Sequence, residues 1–223
     1  MSERQKSGSN QGDLIDALIA MNKEDPDLFH GDTLVAQAGI FLIVGFETSA
    51  SVTSFALYVL AKNPKVQGKI RAEIRDYISK YGAVQYETIN EMEYLNMVVK
   101  ANEEDSYSLE SYQEFKLPKG MPVYIPVVAT HRDPKYIPNR EEFIPERFNR
   151  DFVDQSVYLA FGLGPRNCVG IRFAYFQVKL AMITILQNYK IKMFERTPKI
   201  IRRHKKSLVT RSEDPLYVNL MRE

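Results

Sequence analysis

The chemistry available to this chain is concentrated in one run: Phe161-Gly162-Leu163-Gly164-Pro165-Arg166-Asn167-Cys168-Val169-Gly170. Two glycines and a proline force a tight turn, and a long apolar helix is expected directly after the cysteine. A sulfur placed there sees the positive end of the helix dipole and N–H groups that have no intrahelical partner. Both favour a thiolate. Gly170 lets a bulky group approach the backbone, and Arg166 offers a guanidinium to an anion two positions away.

Several chemistries compete for this run. A lone cysteine is commonly a small buried hydrophobe. A glycine-rich loop before a helix can hold phosphate, yet the third glycine of the dinucleotide fingerprint is absent and no Gly-Lys-Ser/Thr follows. A cysteine nucleophile needs a base, and His30, His131 and His204 sit in no partner motif. Zinc would need further ligands, and there is neither a second cysteine nor a His-Glu-x-x-His. A thiolate shielded by N–H donors, with an arginine and an apolar surface beside it, suits a haem with its propionates. That reading uses every residue of the run, and the buried-hydrophobe reading stands beside it.

A second constellation lies in Val44-Gly45-Phe46-Glu47-Thr48-Ser49. Gly45 and Thr48 are three apart on a helix, so they share a face and leave a notch with a hydroxyl at its edge. Glu47 is a carboxyl on an otherwise apolar helix, costly unless solvated, paired or protonated. The simpler alternative is that Thr48 bonds back to the Val44 carbonyl and bends the helix.

The elements that must position these residues can be read from periodicity and breakers. Residues 1–12 read as a disordered polar lead-in, and 13–223 as one domain. Leu14, Ile15, Leu18 and Ile19 mark a short amphipathic helix, broken at Asp25-Pro26-Asp27. Asp32 is the expected N-cap of a helix reaching Lys62. Its middle is apolar nearly all round, which predicts a buried central helix. Asn63-Pro64 opens the next helix, with Val66, Ile70, Ile74 and Ile78 on one stripe. Thr88-x-x-Glu91 predicts a capping box for a third, carrying Leu95, Val98 and Val99. Helical spacing then stops at Lys100, where acidic Ala101–Ser106 follows. Val123, Ile125 and Val127 alternate like a strand, Asp133-Pro134 suggests a short helix, and Pro138 and Pro145 mark a meander down to Phe148. A last helix is expected from about Val169 to Tyr189, and Ser207–Thr210 and Leu216–Val218 read as closing strands. The fold class is mainly α with small β-sheets.

Composition excludes little and decides one thing. With 30 basic against 28 acidic residues, no strong field points to nucleic acid. Arg202, Arg203, Lys205 and Lys206 read as a solvated face. A single cysteine rules out an intramolecular disulfide and suits a reducing compartment. No apolar leader opens the chain, and the apolar stretch Leu34–Phe46 is too short to span a bilayer, so the expectation is a chain without an anchor, cytoplasmic by itself.

Phe161-x-x-Gly164-x-Arg166-x-Cys168-x-Gly170 resembles the haem-binding signature of the cytochromes P450 at every fixed position. Val44–Ser49 resembles the family's oxygen-activation motif, with valine where alanine or glycine is usual. Pro145-Glu146-Arg147-Phe148 resembles its meander motif, and His131-Arg132-Asp133-Pro134 the segment before it. The closest flavour is that of the insect microsomal members. The resemblance implies a partial cytochrome P450 fold, namely the C-terminal helical bundle, meander and haem-ligand loop. It implies a haem b (iron protoporphyrin IX) bound through Cys168, a propionate held by Arg166, and Phe161 packed beside the sulfur, with Gly164 and Gly170 shaping the loop. Gly45 and Thr48 would flank dioxygen, and Glu47 and Thr48 would organise proton delivery.

The implied reaction is monooxygenation of a small lipophilic substrate with O2 and NADPH-derived electrons from NADPH-cytochrome P450 reductase, at the cytosolic face of the endoplasmic reticulum membrane. Two departures set up a rival expectation, a truncated, inactive fragment that binds haem weakly or not at all. The family's N-terminal half has no counterpart here. No Glu-x-x-Arg occurs in the sequence, although the family carries one in the helix that here ends at Lys100, where it locks onto the meander arginine, Arg147.

Overall fold

A computed structural model describes residues 2–101, 118–149, 158–207 and 209–222. Helices α1 (Ser2–Ser7), α2 (Leu14–Glu24), α3 (Gly31–Lys62), α4 (Pro64–Tyr81), α5 (Glu93–Ala101), α6 (Val127–Thr130) and α7 (Ile171–Asn188) alternate with two 3₁₀ turns, Ile89–Glu91 and Pro145–Phe148. Strands β1 (Tyr189–Met193) and β2 (Val218–Arg222) pair antiparallel, with Ile191 opposite Leu220. The chain divides into two units, 1–48 and 49–223, with the boundary inside α3. The acidic segment after Ala101 lies outside the described residues, as does Leu208 within Ser207–Thr210.

In the first unit, α2 is capped by Asp13, whose carboxylate accepts from the Ile15 and Asp16 N–H groups. Arg4 of α1 pairs with Asp13 and Asp16. The lead-in therefore contains a short helix over Ser2–Ser7, where a disordered stretch was expected. The N-terminal part of α3 departs further from expectation. Leu42 is 74% exposed and Phe46 69%, and Val35, Ile40, Phe41, Ile43 and Val44 are exposed with them. The buried central helix predicted from its all-round apolarity is thus not buried over this stretch. Apolarity reports what a surface prefers, and burial also needs a partner surface. By length and composition alone α3 could cross a membrane, which corrects the expectation from Leu34–Phe46: the helix continues well past that run.

The second unit has a true core. The C-terminal part of α3 (Ala56, Leu60), α4 (Ile70, Ile74), α5 (Leu95, Val98, Val99), α7 (Met182, Ile183, Leu186) and β1 (Ile191) bury their apolar stripes together. At 1–2% exposure or less these side chains are fully removed from water, each of the larger ones worth on the order of 1.5–3 kcal/mol. One polar group is built into the core. Gln67 Nε2 donates to the Leu60 and Ile191 carbonyls at 3.1 and 2.9 Å, and its Oε1 accepts from the Ile191 N–H at 2.8 Å. The amide pins α4 to β1 with every bond oriented.

Local corrections follow from competing partners. Thr88 does not cap: its hydroxyl shares a hydrogen bond with Tyr77, and Glu91 takes Lys80 and Tyr81 instead. The start of α5 is capped from another helix, by Glu73 of α4, whose carboxylate accepts from the Tyr94 and Leu95 N–H groups at 2.8 Å. Burial pushes the Glu73 carboxyl above its usual range against those donors. Asp32 lies in the first turn of α3, which begins at Gly31. Asn63 precedes Pro64 as expected, but its amide donates back to the Val59 carbonyl. Over the strand expected at Val123–Val127, residues 123–126 pair with no strand among the described residues and α6 begins at Val127, and Asp133-Pro134 starts a turn, not a helix. Replacing Gln67 with leucine is expected to strand the Ile191 N–H and carbonyl, while the Leu60 carbonyl keeps the Asn63 N–H. It should cost about 2–4 kcal/mol, read as a lowered urea midpoint with an unchanged slope.

Candidate functional site

The run around Cys168 folds as a turn locked by its own backbone. The Gly162 N–H donates to the Leu159 carbonyl at 2.8 Å, Asn167 to Gly164 at 3.1 Å, and Cys168 to Phe161 at 2.8 Å. Gly162 and Gly164 adopt φ of 71° and 80°, the left-handed region that other residues enter only with strain. The result is a hairpin-like loop that delivers Cys168 just ahead of α7, whose N-cap is Gly170. The first helical bond runs from the Ala174 N–H to the Gly170 carbonyl at 2.8 Å, so the preceding N–H groups of the first turn have no intrahelical acceptor. Cys168 itself is half-buried.

The loop's surroundings are apolar and open. Val169 is 85% exposed, with Leu163 and Phe173 also exposed, and a Cβ added at Gly164 or Gly170 would meet nothing within 4 Å. Arg166 is exposed at the same rim. Behind the loop, the Phe161 ring packs on Tyr175 of α7 at 5.1 Å. A cleft of about 360 Å³ is walled there by Phe148, Tyr158, Phe161, Asn167 and Tyr175, and it does not reach Cys168. A larger cleft of about 440 Å³ adjoins it along α5 and α7 and contains no residue of the run.

Two motif residues sit beneath this wall. Arg147 is buried, and its Nη2 donates to the Asn139 and Glu142 carbonyls at 2.6 and 3.2 Å. Its buried Nη1 has no hydrogen-bond partner among the described residues. The arginine has thus found neutral oxygens in place of a carboxylate. His131 is 3% exposed, and its ring stacks with Tyr158 at 6.4 Å. Burial pushes its pKa down to about 3.

Gly45, Glu47 and Thr48 belong to the first unit and the Cys168 run to the second, and each is described within its own unit. Glu47 is exposed, which supplies the solvation its charge requires. The Thr48 hydroxyl donates to the Val44 carbonyl at 2.6 Å, the simpler alternative weighed for it.

The model of the Cytochrome P450 family matches residues 1–100 and 109–220. The chain belongs to the cytochrome P450 family. Among similar proteins, Probable cytochrome P450 6g2 of Drosophila melanogaster is 38% identical over all of this chain and 49% of its own length. Cytochrome P450 6j1 of Blattella germanica is 40% identical over 84% of this chain and 40% of its own. Cytochrome P450 3A13 of Mus musculus is 39% identical over 93% and 44%. The chain spans about half the length of the curated relatives it matches.

The P450 match breaks directly after Lys100, where helical spacing stops and the Glu-x-x-Arg is missing. The comparison with the first of these relatives extends over 253 residues against 223 in this chain, so that P450 carries an internal stretch without counterpart here. The donor set fits a haem. Among the described residues no cluster of three or more His, Cys, Asp or Glu could hold a metal, and one sulfur would suit an iron whose remaining ligands a porphyrin supplies. The open apolar rim and the exposed guanidinium suit a flat apolar body with anionic edges.

The sequence marks Phe148 within the meander motif, but not the aromatic wall it forms with Tyr158 and Tyr175 behind the loop. Tyr175 lies one turn into α7, where its aromatic type was legible but its contact with Phe161 was not. His131 yields a pH test. Its folded pKa lies below the ordinary 6.5, so the unfolded chain takes up a proton below that pH and the folded chain does not. Stability from this group is present above pH 6.5 and is lost as pH falls towards 3. His131→Gln should flatten that acid limb of the denaturation midpoint, and an unchanged limb would contradict it.

Proposed function

We propose that residues 13–223 form a partial cytochrome P450 domain whose activity is haem-thiolate monooxygenation, inserting one oxygen atom of O2 into a small lipophilic substrate. The observation that carries this is the Cys168 loop: a lone sulfur set ahead of α7 by the Cys168 N–H to Phe161 bond, on an open apolar surface with Arg166 at its edge. The group that fits is haem b, held by Cys168 through sulfur and by Arg166 at a propionate. It supplies O–O cleavage chemistry when bound, favoured by a thiolate ligand.

This chain's residues supply the rest. Phe161 presents its carbonyl to the Cys168 N–H and its ring to Tyr175, which fixes the cysteine's backbone. Gly164 and Gly170 keep the approach to the sulfur free of side chains. Gly45 leaves room for dioxygen beside α3, and Thr48 Oγ1 and Glu47 hold and pass protons towards it. The Thr48 hydroxyl, already donating to Val44, retains lone pairs that accept a proton donor. Electrons come from NADPH through NADPH-cytochrome P450 reductase, and the working location is the cytosolic face of the endoplasmic reticulum, as for the microsomal members that the sequence resembles.

A second reading has its own support. The family match breaks after Lys100, and Arg147 keeps a buried N–H without acceptor among the described residues. Leaving a buried cation without its carboxylate costs on the order of 3–5 kcal/mol where no other groups compensate. The second reading is a catalytically inactive P450 with weak haem binding. The two separate in one assay: the haemin-loaded chain, reductase, NADPH, a lipophilic substrate panel and isotopically heavy dioxygen. Incorporation of one heavy atom per product is the expected result. No incorporation, with haem lost or held only weakly, supports the inactive reading.

A further inference from the structure

Lys69 and Glu73 are one helical turn apart on α4 and grip the same neighbour. Glu73 caps α5 through the Tyr94 and Leu95 N–H groups. Lys69 Nζ lies over the Tyr94 ring, 5.0 Å from its centroid, and bonds Glu146 of the Pro145–Phe148 turn at 2.6 Å. Two turns of α4 thus hold both the start of α5 and the meander turn. The next residues of that turn are Arg147, whose Nη2 donates to two backbone carbonyls, and Phe148. The Phe148 ring packs edge-on against Tyr158 at 5.8 Å, in the same wall as Phe161, whose carbonyl takes the Cys168 N–H.

We propose that Lys69 is a positioning residue for the thiol: by holding Glu146 it seats the meander turn, and through Phe148 and Tyr158 it sets the loop that presents Cys168. The proposal rests on the haem-thiolate reading only for its purpose; the coupling itself concerns this chain's own contacts. The Lys69 ammonium holds the Glu146 carboxyl below its usual range, consistent with a formed ion pair. An isolated exposed pair of this kind contributes little. This one is fastened to a ring and a helix cap, beside Arg147, which bonds backbone carbonyls.

Because Cys168 is the only cysteine, its labelling by a disulfide reagent reads the loop directly on the full chain without haem. Lys69→Met and Glu146→Gln should each change the labelling rate by roughly two- to fivefold, the range of an exposed ion pair. The double variant should change it no further, and Lys69→Arg should restore the parent rate. High salt should shift the parent rate towards that of Lys69→Met and leave the variant unmoved. Lys80→Met, which breaks the similar exposed pair with Glu91, should leave the rate unchanged. A parent-like rate in Lys69→Met, additive single variants, or an equal effect of Lys80→Met would overturn the proposal. Circular dichroism melts confirm that each variant is folded, and a charge reversal, Lys69→Glu with Glu146→Lys, should recover the parent rate if either single change unfolds the chain. Haemin titration in parallel tests the haem-thiolate reading separately, since failure to bind haemin leaves the labelling result intact.

Discussion

The Cys168 N–H bond to the Phe161 carbonyl closes a turn that only left-handed glycines at 162 and 164 permit, and the position of the sulfur follows from it. A thiol is an ordinary side chain until its surroundings make it a ligand. Here the backbone brings it ahead of the first turn of α7, where N–H groups lack intrahelical acceptors, and the apolar side chains around it point outward. A fold that buried Val169 and Leu163 would read as core. One that leaves them exposed beside a guanidinium reads as a surface awaiting a flat, anionic-edged partner.

The second unit provides the rigid support for that turn. Its core joins α4, α5, α7 and the end of α3, with the Gln67 amide as the internal peg to β1. Around the core, polar contacts between elements replace the capping expected within them: Glu73 for α5, Lys69 and Tyr94 for the meander turn. Arg147 shows what these contacts do not replace. Two backbone carbonyls satisfy part of a guanidinium that, in the P450 family, meets a carboxylate.

Much of this was legible from residue order. The glycine and proline spacing of the Cys168 run, the stripe Val66, Ile70, Ile74, Ile78 and the Asn63-Pro64 boundary of α4 are local signals, and local signals survive folding. What failed was long-range. Thr88 reads as a cap until Tyr77 takes its hydroxyl. Val123–Val127 alternates like a strand, but a strand requires a neighbour, and among the described residues none pairs with it before α6. The apolar N-terminal part of α3 reads as buried because periodicity records preference and cannot see whether a partner surface is present. The aromatic wall of Phe148, Tyr158 and Tyr175 joins elements far apart in sequence, so no local spacing announces it.

The central claim is that the sulfur of Cys168 binds the iron of a haem. The most direct measurement is the absorption spectrum of the haemin-loaded full chain, reduced and exposed to carbon monoxide, beside that of Cys168→Ser. A thiolate-type Soret band in the parent chain, absent from the serine variant, is the predicted result. The same band in both, or only an imidazole-type band in the parent, would contradict it.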